Sequence, residues 1–156
     1  MITLEERNIL LDCDCETYEE AIRLAADRLR ENGCIGTQYA EDVLTREKDY
    51  PTGLPCEDVP VALPHAFSAD VKETSVAVLR FRKPVAWHNM IAPTEDVPVE
   101  MAFMLANASG ADDHLEELQE LMNCFTRQGL LLDMKKAATP AELIRVFENR
   151  GSYPEI

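Results

Sequence analysis

His65 is the side chain best placed to do chemistry. It follows Val61-Ala62-Leu63-Pro64, a short apolar run closed by proline, and so stands just past a strand end. In open α/β sheets ligand crevices form at that place, and the fixed φ of Pro64 holds the next residue on a stiff turn. A neutral imidazole offers one basic nitrogen, which can attack, accept a proton or bind a metal. Position alone fits an ordinary surface-loop histidine equally well. His114 falls in the first turn of a helix expected to begin near Asp112. The positive end of a helix disfavours imidazolium, whereas Asp112 and Asp113 favour it. His114 therefore reads either as a neutral donor facing an anion or as a partly solvated helix-start residue. His88, in Ala86-Trp87-His88-Asn89, reads as a structural loop residue. Arg46 and Lys48 stand together in a chain poor in cations. A guanidinium can hold phosphoryl oxygens in a fork; the alternative is a solvated pair beside Glu47 and Asp49.

The five cysteines, Cys13, Cys15, Cys34, Cys56 and Cys124, are odd in number and form no CxxC pair. They read as free thiols in a reducing compartment. Cys13-Asp14-Cys15, or a set of Cys56, His65 and His114, would be the arrangements to hold a metal, and neither has the spacing of a known metal motif. No P-loop, GxGxxG, nucleophile elbow or HExxH occurs, so neither a nucleotide site nor a zinc hydrolase is signalled.

The elements that must position these residues alternate in type. A strand is expected over 8–12. Thr17 and Glu20 form a capping box for a helix that Gly33 stops. A second helix covers 38–48, with Val43 and Leu44 facing inward. Val59, Val61 and Leu63 alternate as a strand, which Pro60 demotes to an edge or to a very short strand. The runs 75–81 and 99–106 are nearly all apolar, as in strands buried on both faces, and Pro84 is expected to end the first. A long helix over 112–128 carries Leu115, Leu118, Met122 and Phe125 as its buried stripe, with Gly129 as C-cap. Residues 130–133 read as a last short strand. Thr139-Pro140-Ala141-Glu142 opens a final helix with a second capping box. Strands separated by helices imply an α/β fold with helices on both faces. The stretch between 81 and 99 has no room for a crossover helix, so the sheet is expected to be mixed.

Length fits one domain spanning 1–156. Fifteen Lys and Arg against 29 Asp and Glu leave a net charge of −14, which makes nucleic acid and anionic membrane poor partners. No apolar run approaches the roughly 20 residues of a membrane span. Met1 to Glu6 lacks the basic and apolar regions of a secretory signal, and the expected location is cytoplasmic.

The run Val61-Ala62-Leu63-Pro64-His65-Ala66 resembles the active-site signature of the fructose/mannitol-type enzyme IIA domains of the bacterial phosphoenolpyruvate-dependent sugar phosphotransferase system. Arg46-Glu47, the turn Tyr50-Pro51-Thr52-Gly53-Leu54-Pro55, Lys83-Pro84-Val85, and His114-Leu115 followed by Leu118 and Leu121 fit the same family. The turn looks most like the galactitol-type branch. The resemblance implies one α/β domain, a mixed sheet flanked by helices on both faces. It implies that His65 is the phosphorylated residue, as tele-phosphohistidine, that His114 steadies the phosphoryl group or the neutral tautomer of His65, and that Arg46 is the active-site cation. It implies the small carrier HPr as phosphoryl donor, a cysteine of enzyme IIB as acceptor, the membrane component IIC as an indirect partner, and no cofactor or metal. A regulatory module with the same fold is the alternative role. Ala66 and Phe67 stand where many members have Gly and then often Thr, so Ser68 becomes the candidate hydroxyl beside the site. Phe67 reads either as a docking anchor or as a core residue closing the loop.

Overall fold

Two threonines start helices as their capping boxes require. In the computed structural model, which describes residues 1–108 and 111–155 (the side chains of 111–114 excepted), Thr17 Oγ1 accepts the Glu20 N–H and Thr139 Oγ1 accepts the Glu142 N–H. They open α1 (Tyr18–Glu31) and α5 (Pro140–Glu148). The remaining elements are β1 (Ile9–Cys13), α2 (Tyr39–Asp49), β2 (Gly53–Leu54), β3 (Val61–Ala62), β4 (Ser75–His88), β5 (Asp96–Ala106), α3 (Ala111–Phe125) and α4 (Leu130–Lys136).

The strands form one mixed sheet in the order β1-β4-β5-β3-β2. β4 and β5 pair antiparallel, as the missing crossover helix demands, while β1 joins β4 and β3 joins β5 in parallel. Alternation along the strands divides the core in two. Ala77, Leu79, Ala102 and Met104 pack under α1 and α2. Val76, Val78, Met101 and Phe103 pack under α3, α4 and α5 on the opposite face. Among the described residues no helix is long and apolar enough to cross a membrane.

The structure corrects several expectations. Pro84 does not end a strand: β4 continues to His88, and the register with β5 shifts between Arg80 and Val85. A proline without an N–H fits such an irregularity, where no ladder bond is lost. His88 is therefore a strand residue, paired with Asp96 at 3.4 Å. Residues 130–133 are helical, because Leu130, Leu131 and Met134 bury at helical spacing after the left-handed Gly129. Gly129 thus begins α4 instead of capping α3. Of the stripe expected on α3, Phe125 is buried and Leu118 packs partly buried against the core, beside Leu121 and Cys124. Leu115 and Met122, seven residues apart on one side of the helix, are exposed. The short β2, unseen in the sequence pattern, extends the sheet beside β3.

Candidate functional site

His65 lies where the chain leaves β3, and a bridge to Leu105 keeps it alongside the end of β5. It is buried, 8% exposed. Its Nδ1 is 2.7 Å from the Leu63 carbonyl oxygen. A carbonyl can only accept, so Nδ1 carries the proton, and the lone pair of the neutral ring belongs to Nε2. The next residue is held just as firmly. The hydroxyl of buried Tyr39 accepts the Ala66 N–H at 3.2 Å and donates to the Leu105 carbonyl at 2.6 Å. Burial pushes the Tyr39 phenol well above its usual range, so it stays a neutral donor.

One side of α2 grips the whole segment after His65. Tyr39, Asp42 and Arg46 are spaced i, i+3, i+7 and so project from one face. Tyr39 takes Ala66, Asp42 accepts the Ser68 hydroxyl at 2.6 Å, and Arg46 lies under the Phe67 ring. The segment in turn caps the helix, since Gln38 makes no side-chain cap of its own. Asp70 accepts the Gln38 and Tyr39 N–H groups at 2.7 and 2.8 Å, a carboxylate at the positive helix end. Gly36 leaves room for this contact, because a Cβ there would collide with Asp70 Oδ1 and displace the carboxylate.

The Arg46 guanidinium sits 5.0 Å from the Tyr50 ring centre and 5.5 Å from that of Phe67. Such stacking orients a cation at small cost in hydration. Arg46 Nε is buried with no hydrogen-bond partner among the described residues. Both rings are exposed, Tyr50 by 64% and Phe67 by 57%, so Phe67 is not a core residue. An open cleft of about 470 Å³ is lined by Asp42, Arg46, Asp49, Ala66 and Phe67 among others. It joins Arg46 to the residues directly following His65. Lys48 is exposed and lies outside this lining. The Ser68 hydroxyl is committed to Asp42, which weakens its candidacy as a site hydroxyl. His114 belongs to the first turn of α3, which starts at the same end of the sheet as His65, but its side chain lies outside the described residues.

Two further polar residues, Glu47 and Thr52, carry no role of their own in the sequence pattern. Glu47 is 2% exposed and accepts the Thr52 N–H at 2.6 Å and its hydroxyl at 2.8 Å. Burial raises its carboxyl above the usual value, and the Thr52 hydrogen bonds oppose that rise. A signal was available: Tyr39, Val43 and Glu47 fall at i, i+4, i+8, a buried stripe that ends on a charge. All five cysteines are free. Burial, then the neighbouring Cys15, pushes the Cys13 thiol up to about 11, which suits an inert thiol. Among the described residues no three His, Cys, Asp or Glu side chains gather to hold a metal.

The model of the family described as phosphoenolpyruvate-dependent sugar phosphotransferase system, EIIA 2, matches residues 2–150. The chain belongs to this family. As an EIIA 2 domain it is a phosphotransferase component of that system. It is 29% identical over 154 residues to the 2-O-alpha-mannosyl-D-glycerate-specific EIIABC component of Escherichia coli, covering 97% of this chain and 23% of that protein. It is 30% identical to the multiphosphoryl transfer protein of Shigella flexneri, covering 94% of this chain and 17% of that one. The EIIA 2 chain thus spans less than a quarter of the length of these curated relatives. Among solved structures, IIA of the mannitol system of E. coli, in complex with phosphorylated IIB, superposes with a TM-score of 0.79 at 22% identity, covering 96% of this chain and 99% of that one. The nitrogen regulatory protein IIA-Ntr of Neisseria meningitidis gives 0.74 at 28% identity, covering 92% and 94%.

Proposed function

We propose that this EIIA domain, as one unit over 1–156, is a cytoplasmic phosphoryl carrier whose acceptor is Nε2 of His65. The observation that carries the reading is the 2.7 Å contact between His65 Nδ1 and the Leu63 carbonyl, which assigns the nucleophilic lone pair to Nε2. Phosphoryl arrives from a phosphohistidine of HPr. The His65 Nε2–P bond forms as the N–P bond of the donor breaks. In the second step the thiolate of a cysteine on enzyme IIB attacks the phosphorus, an S–P bond forms, and His65 Nε2 is released with its lone pair. Such transfers pass through a loose transition state, so the protein contributes chiefly position and charge compensation.

Arg46 is the cation for the travelling phosphoryl, supported by its underused guanidinium and its place in the cleft beside Ala66 and Phe67. His114 is the second histidine, donating to a phosphoryl oxygen or supporting the tautomer of His65. The Ala66 N–H does not serve the phosphoryl, because Tyr39 occupies it. The IIB partner is supported by the mannitol-system complex. Through IIB the domain feeds a membrane IIC component and so couples uptake to phosphorylation of a sugar or sugar alcohol. The Tyr50 to Pro55 turn favours a galactitol-type system. No cofactor or metal is needed for either step.

A second reading is favoured by one finding, the 28% identity with a nitrogen regulatory IIA. On this second reading the phosphohistidine of the present chain reports the state of the system to a regulator instead of feeding a permease. The two are separated by mixing the phosphorylated protein with cognate-type IIB proteins. Transfer of label to a IIB cysteine is the result expected. Stable retention on His65 in the presence of every IIB tried would favour the regulatory role.

A further inference from the structure

Glu47 is a buried carboxylate with no assigned task, and it is joined to His65 by an unbroken series of hydrogen bonds. Its carboxylate accepts both the N–H and the hydroxyl of Thr52, at 2.6 and 2.8 Å. Thr52 then receives the Leu63 N–H twice, on Oγ1 and on its own carbonyl, each at 3.3 Å. The Leu63 carbonyl receives the His65 Nδ1–H at 2.7 Å. Every link is buried. The series runs from the last turn of α2, one residue from Arg46, to the ring of His65.

We propose that Glu47 and Thr52 are positioning residues for His65: the carboxylate fixes the Thr52 hydroxyl, the hydroxyl fixes Leu63, and the Leu63 carbonyl keeps the proton on Nδ1 and aims Nε2. The proposal rests on the reading of His65 as phosphoryl acceptor. The series does not relay a proton, because the N–H and C=O of Leu63 belong to different peptide planes. It transmits geometry. It also locks the distance between Arg46 and His65, since neighbouring residues on α2 hold the cation and the clamp.

Two observations mark the arrangement as more than packing. The turn carrying Thr52 is seated closely on β4, because a Cβ on Gly53 would meet the His88 carbonyl oxygen at 2.5 Å. And Glu47 is a costly residue for mere filling. A buried carboxylate without a cation is strongly penalised. Around Glu47 stand Thr52, Tyr18, Trp87 and His88, and among the described residues neither Lys nor Arg pairs with it. A neutral residue of the same shape would serve stability better.

The experiment compares wild type with Thr52→Val, Thr52→Ser and Glu47→Gln. Three readouts are used: the ¹⁵N chemical shifts of the His65 ring, the melting temperature, and the rate of phosphoryl transfer from phospho-HPr. Thr52→Val is expected to shift the ring away from the Nδ1–H tautomer and to slow transfer by roughly tenfold to a hundredfold, the scale of a small misplacement at a reacting atom. Thr52→Ser, which keeps the hydroxyl, restores both. Glu47→Gln slows transfer while the melting temperature at neutral pH holds or rises, an outcome that a purely structural role does not give. Wild-type tautomer and rate in Thr52→Val overturn the proposal, as does a Thr52→Ser protein no better than Thr52→Val. Should wild type accept no phosphoryl at all, the carrier reading fails, and the ring shifts still decide whether Thr52 positions His65.

Discussion

Replacing Tyr39 by Phe removes one oxygen and keeps the ring, which is fully buried between α2 and the sheet. That oxygen serves the Ala66 N–H and the Leu105 carbonyl, with the Ala66 carbonyl a more distant acceptor at 3.5 Å. The Ala66 N–H loses its acceptor, and the Leu105 carbonyl loses a donor at 2.6 Å. A buried donor left unpaired costs about 1–3 kcal/mol. The carbonyl, with a second lone pair, adds less. The expected total is about 2–3 kcal/mol, which for a chain of this size lowers the melting temperature by roughly 4–12 °C. The molecule carries its own probe: Trp87 is the only tryptophan and is 1% exposed. Urea unfolding followed by its fluorescence should show an earlier midpoint with an unchanged slope, since the surface exposed on unfolding stays the same. His65, the proposed phosphoryl acceptor, sits one residue before the loosened amide, so transfer to it should slow in the same variant. A loss of stability below about 0.5 kcal/mol would refute the reasoning, because it would mean that the Ala66 N–H is satisfied without Tyr39.

Arg46→Ala should keep the fold and slow phosphoryl transfer in both directions, by an amount on the scale of about 2.7–4 kcal/mol for a lost charge-stabilising donor; stopped-flow or quench-flow transfer assays check it. Phe67→Ser should raise the apparent KM for at least one partner without lowering the melting temperature, because the ring is 57% exposed. Association with a partner bearing a cationic rim should slow as salt rises, given the net charge of −14. Glu47 sets a pH dependence with a definite sign. Burial raises its native carboxyl above the ordinary 4.5, so in the window above 4.5 the native state holds a proton that the unfolded state has lost. Its contribution to stability is then full below 4.5 and is lost as pH rises through the native value. Denaturant midpoints measured across that window should decline more steeply for wild type than for Glu47→Gln.

Local signals carried the sequence reading well where one interaction decides the structure. Thr17 and Thr139 each announce a helix through a side chain reaching three residues on, and both do so. The apolar runs of β4 and β5 and the absent crossover helix were enough for a mixed sheet. Elsewhere tertiary context overrides the local rule. Pro84 looks like a strand end, yet an irregularity in the ladder absorbs it. Leu130, Leu131 and Leu132 look like a strand, yet burial of Leu130, Leu131 and Met134 selects a helix. On α3, Phe125 and Leu118 pack inward as expected, whereas Leu115 and Met122 are large and apolar but exposed, so side-chain type alone does not fix the buried face. At the candidate site, type and resemblance single out His65 and Arg46, whose roles are proposals. The contacts of Tyr39, Thr52 and Asp70 are not visible in the sequence, because each acts on backbone groups distant in the chain, and such contacts leave no periodic trace.

Where the phosphoryl group resides decides whether His65 is the carrier. Incubation of the protein with phosphoenolpyruvate, enzyme I and HPr, followed by ³¹P and ¹⁵N NMR and by mass spectrometry of the proteolysed product, reads this out. The predicted result is a single phosphoryl group on Nε2 of His65, labile in acid and stable in base, and absent from the His65→Ala protein. Label on another residue, label on Nδ1 of His65, or undiminished labelling of folded His65→Ala would contradict it.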